Sequence, residues 1–269
     1  MKISCSSQSF DRAFMNKSMN LEQFIKYAAS EIKIPCVELE DKHFESMDPA
    51  YIENINNLVG QQGLEVSNIA FDCSFGYLTK EQNDKELLRA KEWMAVGLKL
   101  GCKNFRIFAG WMGGLDQGIG KAGAPVEKKK EAWDIMISYV KKVCDSAKEL
   151  NLDVVIENHN HGGFLSYSAD VLRLFREVNR DNLSLLLDTG NYVDGIDGIK
   201  NTIHLVKKHI HLKINEINEE GKDNLYDLDT IISVIKTSGF EGSISLEYEG
   251  TQDEFVYIPK VVSYLKKLV

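Results

Sequence analysis

Short apolar runs alternate with longer stretches of helical periodicity along the whole chain. Eight of the short runs have the composition of β-strands. These predicted strands are residues 2–6, 36–39, 65–70, 104–108, 153–157, 184–187, 210–213 and 243–247. The clearest helical pattern covers residues 131–150, where apolar side chains recur every three or four positions. Eight strands that alternate with eight helices predict parallel pairing through right-handed crossovers.

Two architectures fit this alternation, a closed (β/α)₈ barrel and an open doubly wound sheet. The strand count favours the barrel, and no Gly-x-Gly-x-x-Gly turn follows the first strand. No linker, low-complexity tract or short-period repeat divides the chain. We therefore predict a single (β/α)₈ TIM-barrel domain over residues 1–269. The long segments 111–126 and 215–226 both follow strands, so we expect both to overhang the mouth of the barrel.

Composition narrows the classes of function. The formal net charge of −8 argues against a nucleic-acid partner and against an anionic membrane surface, both of which favour a basic face. The five cysteines form no Cys-x-x-Cys motif and fit reduced thiols. We see no signal peptide and no apolar run of membrane-spanning length, so we expect a cytoplasmic protein. The oligomeric state is left open, a homo-oligomer included.

Four side chains of metal-ligand type stand near the C-terminal ends of the last four predicted strands: Glu157, Asp188, His211 and Glu247. A single glutamate at such a place is usually solvated or in a salt bridge, but four on successive strands are hard to attribute to chance. In a barrel these strand ends surround one cavity. Because buried carboxylates are costly without positive charge among them, we predict one divalent cation, with Mn²⁺, Mg²⁺, Co²⁺ and Zn²⁺ all suited to this ligand set.

Strand alternation places further side chains beside these four, because residues two apart share a face. His159 accompanies Glu157, and Lys213 accompanies His211, so both are candidates for binding substrate oxygens. Lys213 is equally well a solvated lysine at the rim, since lysine is rarely buried unless paired. His209 is expected to point away from His211 and to be structural.

Two residues on or after the fourth strand are further candidates for substrate contact. Arg106 either binds substrate or forms an internal salt bridge to Glu38 or Glu40, and we favour the salt bridge. Trp111 is either an aromatic wall of a sugar site or a lid or core residue.

The segments IENHNHGG, LLLDTGN, HIHLK and SLEYEG, with VELED and FRIFAG before them, resemble the xylose isomerase-like barrel superfamily of sugar phosphate isomerases and epimerases. The resemblance covers nearly the whole chain and is specific in the order and spacing of the ligands. It implies that Glu157, Asp188, His211 and Glu247 bind one divalent metal. It also implies that Glu157 and Glu247 exchange protons with a substrate carbon.

Two departures from the family leave the substrate open. Ketose epimerases of the group have a substrate-binding histidine where this chain has Asn191, and a substrate-binding arginine where it has Ile217. Asn191 thus takes a substrate-binding position with a different side chain, which puts a free ketohexose epimerase in doubt. The endonuclease IV branch uses extra histidines that this chain lacks, which together with the acidic charge disfavours DNA repair.

The resemblance implies an isomerase or epimerase that acts on a small sugar, ketose or inosose. The reaction would be proton transfer next to a carbonyl through an enediolate, which a metal can stabilise. One alternative is a metal-dependent lyase or dehydratase on a keto-sugar or inosose. Another is a non-catalytic sugar-binding barrel, against which the intact ligand set argues. The expected partner is a small sugar or polyol.

Overall fold

Parallel strands close into a barrel in the computed structural model, which describes residues 1–111, 126–160 and 162–269. Neighbouring strands pair in chain order, and β8 pairs with β1 to complete the ring. The strands are β1 Lys2–Ser6, β2 Cys36–Glu40, β3 Glu65–Ala70, β4 Asn104–Phe108, β5 Asp153–Glu157, β6 Leu183–Asp188, β7 His209–Ile214 and β8 Ser243–Tyr248. The predicted (β/α)₈ barrel is therefore confirmed.

Four strands run one residue further than the composition predicted at one or both ends, and polar residues such as Glu40, Asp188 and His209 are among the additions. Polar side chains obscure the strand signal in the sequence. They remain in the ladder because their side chains find partners inside the barrel, as described below.

The helices follow the strands around the outside of the barrel. They are α1 Asp11–Met15, α2 Leu21–Tyr27, α3 Pro49–Gln61, α4 Lys80–Lys99, α5 Val126–Glu149, α6 Ser168–Val178, α7 Gly195–Thr202, α8 Leu228–Thr237 and α9 Glu254–Leu265. The prediction of one helix after each strand is wrong after β1, where α1 and α2 are separate because Lys17 has a positive φ and Asn20 caps α2 with a capping box. None of the described helices is long and apolar enough to cross a membrane.

The barrel has an apolar outer layer and a polar interior. On β6, Leu185 and Leu187 belong to the hydrophobic core, whereas the alternate positions include Ser184 and Asp188. Apolar side chains of the strands thus pack against the helices, and the polar ones point into the barrel. Buried polar groups need partners, so the interior must be a connected polar network.

Two long segments, 111–126 and 215–226, are expected above the barrel mouth. Most of the segment 111–126 lies outside the described residues. The segment 215–226 follows β7 and folds back on itself through an antiparallel bridge between Ile217 and Asp223. The Asp223 carboxylate accepts hydrogen bonds from the backbone of Asn215, Leu225 and Tyr226, which organises this loop.

Asn158 extends the pairing of β5 with β6 beyond the backbone ladder. Its Nδ2 donates to the Asp188 carbonyl at 2.9 Å, and its Oδ1 accepts from the Asp188 amide at 2.8 Å. All of these groups are fully buried. The side chain therefore replaces two main-chain hydrogen bonds at the end of β6 and fixes the backbone of Asp188.

We predict that Asn158→Ala lowers the free energy of unfolding by about 2–5 kcal/mol, because a buried amide and a buried carbonyl each lose a partner. Urea denaturation followed by circular dichroism measures the change. The exposed Asn56→Ala on α3 is the matched control and should change it by less than about 0.5 kcal/mol. Equal small effects of the two substitutions would contradict the bracing role of Asn158.

Candidate metal centre

Glu157, Asp188, His211 and Glu247 converge inside the C-terminal end of the barrel. They come from β5, β6, β7 and β8, and all of them are buried. Each offers one ligand atom, and these atoms lie within 4.8 Å of one another. The structure thus brings together four side chains that the sequence places on separate strands.

The imidazole of His211 shows how this cluster fits a cation. Its Nδ1 lies 3.4 Å from Oε1 of Glu157 and 3.5 Å from Oε1 of Glu247. These distances exceed the usual 2.9–3.0 Å of an N–H···O bond, and Nδ1 has no hydrogen-bond partner among the described residues. A buried, unpartnered nitrogen between two carboxylates suits a divalent cation of the kind that mixed O/N ligands bind.

Lys213 lies against the cluster and is only 3% exposed. Its Nζ lies 2.5 Å from Oε2 of Glu247, 3.0 Å from Oδ2 of Asp188 and 2.9 Å from Oε1 of Glu249. Of the two interpretations offered above for Lys213, the solvated rim lysine is therefore wrong. The ammonium is buried because three carboxylates surround it.

Burial and nearby charges raise the pKa values of Asp188 and Lys213 and lower the pKa of Glu247. Burial raises the pKa of Asp188 well above its usual range, against the attraction of the Lys213 ammonium. Burial also favours the neutral form of Glu247, but Lys213 and His211 outweigh it and hold the pKa of Glu247 well below its usual range. Asp188 and Glu247 together outweigh the burial of Lys213 and raise its pKa. The two carboxylates therefore differ in their readiness to carry a proton.

Arg106 forms the internal salt bridge that alternation favoured, and its partner is Glu40. Two bonds of 2.9 Å join its Nη2 to the carboxylate of Glu40, and Nη1 donates to Asp72 at 3.1 Å. Its Nε lies 3.4 Å from Oε2 of Glu157. The guanidinium also covers the ring of Phe108 at 4.1 Å. Arg106 thus touches a ligand of the cluster, while its contact with substrate stays a prediction.

Phe108, Trp111 and His159 form an aromatic wall beside the cluster. The His159 ring meets Phe108 edge-on at 4.8 Å and Trp111 at 5.0 Å between centroids. His159 is partly buried, and burial lowers its pKa. Trp111 is buried and its Nε1 has no hydrogen-bond partner among the described residues. An apolar face with polar atoms at its edges is typical of small-molecule sites. No pattern in the sequence pointed to Phe108 as a member of this wall.

Asn191 reaches the cluster from the loop after β6. Its Nδ2 lies 3.4 Å from Oε1 of Glu157 and 3.3 Å from the carbonyl of Asn158. The residue that replaces the family histidine therefore contacts a ligand carboxylate. Its contact with substrate remains a prediction.

Glu38 and His209 complete the interior, and the expectation that His209 points away from His211 is wrong, whereas no contact among the described residues contradicts its expected structural role. The Nε2 atoms of His209 and His211 both lie within 3.1 Å of the Glu38 carboxylate. The two rings share a face because they are two residues apart on a strand, so His209 cannot point away. The sequence signal for Glu38 was the run Cys-Val-Glu-Leu-Glu on β2, in which every second residue is polar and faces inward.

The chain is similar to known barrel proteins in sequence and in fold. The family model of the xylose isomerase-like TIM barrel matches residues 27–268. An inosose dehydratase of Geobacillus thermodenitrificans is 24% identical over 181 residues, which are 55% of this chain and 60% of that protein. An inosose dehydratase of Lacticaseibacillus casei is 28% identical over 162 residues, 50% of this chain and 54% of that protein. The match thus spans little more than half of these relatives.

Solved structures match over almost the full length. A 3-keto-D-glucoside 4-epimerase of E. coli superposes with a TM-score of 0.80 at 16% identity and covers 99% of both chains. A probable 3-DHS dehydratase of Bacillus anthracis has a TM-score of 0.75 at 16% identity, again with 99% of both chains covered. At this identity the likeness shows the fold.

We predict that His211→Ala weakens binding of Mn²⁺ by at least about 10- to 100-fold, because even residues that only support a ligand have effects of that size. Isothermal titration calorimetry on chelator-treated protein measures the affinity. His204→Ala, at an exposed position outside the cluster, is the control and should bind like the wild type. Unchanged affinity of the His211 variant would remove this residue from the metal centre.

Proposed function

This chain belongs to the xylose isomerase-like TIM barrel family, and on that premise we propose that it is a divalent-metal-dependent enzyme acting on a small sugar, ketose or inosose. The proposed reaction begins with removal of a proton from the carbon next to a carbonyl. The observation that carries the proposal is the convergence of three carboxylates and one imidazole at the C-terminal end of the barrel. A cation bound there would polarise the substrate carbonyl and stabilise the enediolate charge.

Glu157 is proposed as the base. Its Oε2 accepts no hydrogen bond within the described part of the chain, and the Arg106 guanidinium 3.4 Å away favours the ionised carboxylate, which is the form that a base needs. Asn191 and Arg106 contact the two oxygens from different sides and hold the carboxylate in place. Glu247 lies across the cluster on β8, where it can act on the opposite face of a bound substrate.

The aromatic wall is proposed to hold the apolar face of the substrate and to exclude water. Its members Phe108 and Trp111 are buried, and His159 adds a polar ring at its edge. Lys213 and Asn191 are proposed to contact substrate oxygens on the other side of the site. This division into one apolar side and one polar side matches the two kinds of surface on a sugar ring.

The proposed enediolate can react further in two ways. In an isomerase or epimerase, a carboxylate returns the proton, either to the neighbouring carbon or to the opposite face of the same carbon. Epimerisation by two glutamates requires Glu247 to donate a proton. The 2.5 Å contact of Glu247 with the Lys213 ammonium favours the carboxylate over the acid, so this contact counts against Glu247 as donor.

A second candidate is a dehydratase, a reaction that does not require Glu247 to donate a proton. In that reaction Glu157 accepts the carbon-bound proton, the carbon–oxygen bond at the next carbon breaks, and the Lys213 ammonium supplies the proton with which the hydroxyl leaves as water. Two curated relatives carry the name inosose dehydratase, which agrees with this outcome. Incubation with a panel of inososes and ketoses and added Mn²⁺ separates the two: a product of equal mass indicates isomerisation, and loss of one water indicates dehydration.

We predict that Glu247→Gln abolishes turnover of whichever substrate the panel identifies, with the fold intact, because the cluster loses a ligand and a charged partner of Lys213. Mass spectrometry of the product follows turnover, and circular dichroism checks the fold. Glu241→Gln, at an exposed position just before β8, is the control and should keep wild-type turnover. Undiminished turnover of the Glu247 variant would refute its assignment to the active site.

We predict that Lys213→Gln separates proton removal from loss of water. If Lys213 protonates the leaving hydroxyl, the variant still exchanges the substrate proton with deuterium from solvent but forms dehydrated product at least about 100-fold more slowly, in keeping with the usual contribution of a general acid. NMR in D₂O measures the exchange, and mass spectrometry measures the product. Equal losses of both steps would assign Lys213 to binding alone.

A further inference from the structure

We propose that Glu38 is a positioning residue that fixes the tautomer and the orientation of the metal ligand His211. The proposal rests on the proposed metal centre and adds a residue from the opposite side of the barrel. Glu38 lies on β2 and His211 on β7, and two strands, β1 and β8, separate them around the ring. The contact between them therefore crosses the barrel interior.

The contact between these two side chains is close and fully buried. Nε2 of His211 lies 2.9 Å from Oε1 and 2.8 Å from Oε2 of Glu38, and both residues have no exposed surface. An ionised carboxylate can only accept hydrogen bonds, so the proton of this contact belongs to Nε2 of the histidine. A neutral histidine with its proton on Nε2 has its lone pair on Nδ1.

The other nitrogen of the same ring is the one that faces the ligand carboxylates. Nδ1 lies 3.4 Å from Glu157 and 3.5 Å from Glu247 and has no hydrogen-bond partner among the described residues. A histidine that binds a metal needs a bare lone pair on the ligating nitrogen and commonly donates its second N–H to a carboxylate. The Glu38 contact meets both requirements, because it holds the proton on Nε2 and turns Nδ1 toward the ligand carboxylates.

Glu38 is itself held in place by two further donors. Nδ2 of Asn68 on β3 donates to Oε1 at 2.7 Å, and Nε2 of His209 lies 3.1 Å from Oε2. These contacts leave the carboxylate little freedom to rotate away from His211. The arrangement is thus a built support, in which β2 and β3 orient a ligand that β7 carries.

Removing the charge of Glu38 tests the proposal. We expect Glu38→Gln to weaken Mn²⁺ binding by about 10- to 100-fold in titration calorimetry, the usual effect of losing the carboxylate behind a ligating histidine. Glu254→Gln is the matched control, since Glu254 is also a buried glutamate in a salt bridge, with Arg12, and lies outside the metal centre. The control should bind Mn²⁺ like the wild type.

A spectroscopic measurement keeps the proposal testable if the Glu38 variant does not fold. Wild-type protein labelled with ¹⁵N-histidine and loaded with Zn²⁺ should show His211 with its proton on Nε2 and Nδ1 bare of hydrogen. His211→Ala identifies the signal by its loss. If the Glu38→Gln variant does fold and Glu38 is merely structural, the variant should keep both this signature and the wild-type metal affinity.

The outcomes distinguish this proposal from the proposed function. Wild-type protein that binds metal but transforms no sugar contradicts the proposed reaction and leaves the role of Glu38 standing. A folded Glu38→Gln variant with wild-type affinity, or a His211 protonated on Nδ1 in the loaded protein, overturns the role of Glu38 alone. Wild-type protein that binds no divalent metal overturns both.

Discussion

The burial of carboxylates inside the barrel is the constraint on which the rest of this structure depends. Glu38, Glu40, Glu157, Asp188 and Glu247 are all nearly inaccessible to water. Buried carboxylates are tolerated only when they are paired, hydrogen-bonded or bound to a cation. The contacts of these carboxylates with Arg106, His211 and Lys213 offset this cost, and the space among the four candidate ligand atoms is where a divalent cation would add most.

Different strands contribute the buried carboxylates and the side chains that pair with them. Strands β5 to β8 carry the proposed ligands, and strands β2 and β4 carry side chains that contact two of them. Glu38 from β2 contacts His211, and Arg106 from β4 contacts Glu157. Loss of either contact would remove a partner from a buried charge, which destabilises a fold strongly. The polar interior is both the site and part of the stability of the barrel.

The position of the Lys213 ammonium bears on which of the two proposed reactions the site favours. Both proposed outcomes begin with Glu157 as the base, and they differ in which group is proposed to deliver the next proton. Lys213 lies between Asp188 and Glu247 and favours the ionised form of the latter. A symmetric pair of glutamates, as an epimerase uses, is thereby made asymmetric. On the proposed function, this asymmetry would distinguish a dehydratase from an epimerase.

The sequence by itself determined the strand order, the barrel and the positions of the four candidate ligands that converge, because strand periodicity and the place of a residue at a strand end are local properties. It failed where partners come from distant strands. The two interpretations of Lys213 could not be separated until Glu247 and Asp188 were seen around it, and Glu40 was one of two candidate partners for Arg106. The error on His209 was different, because period-two alternation already places it beside His211. Only the closure of the barrel decided that Glu38 meets both histidines, since a contact across the interior depends on the stagger of all the strands between.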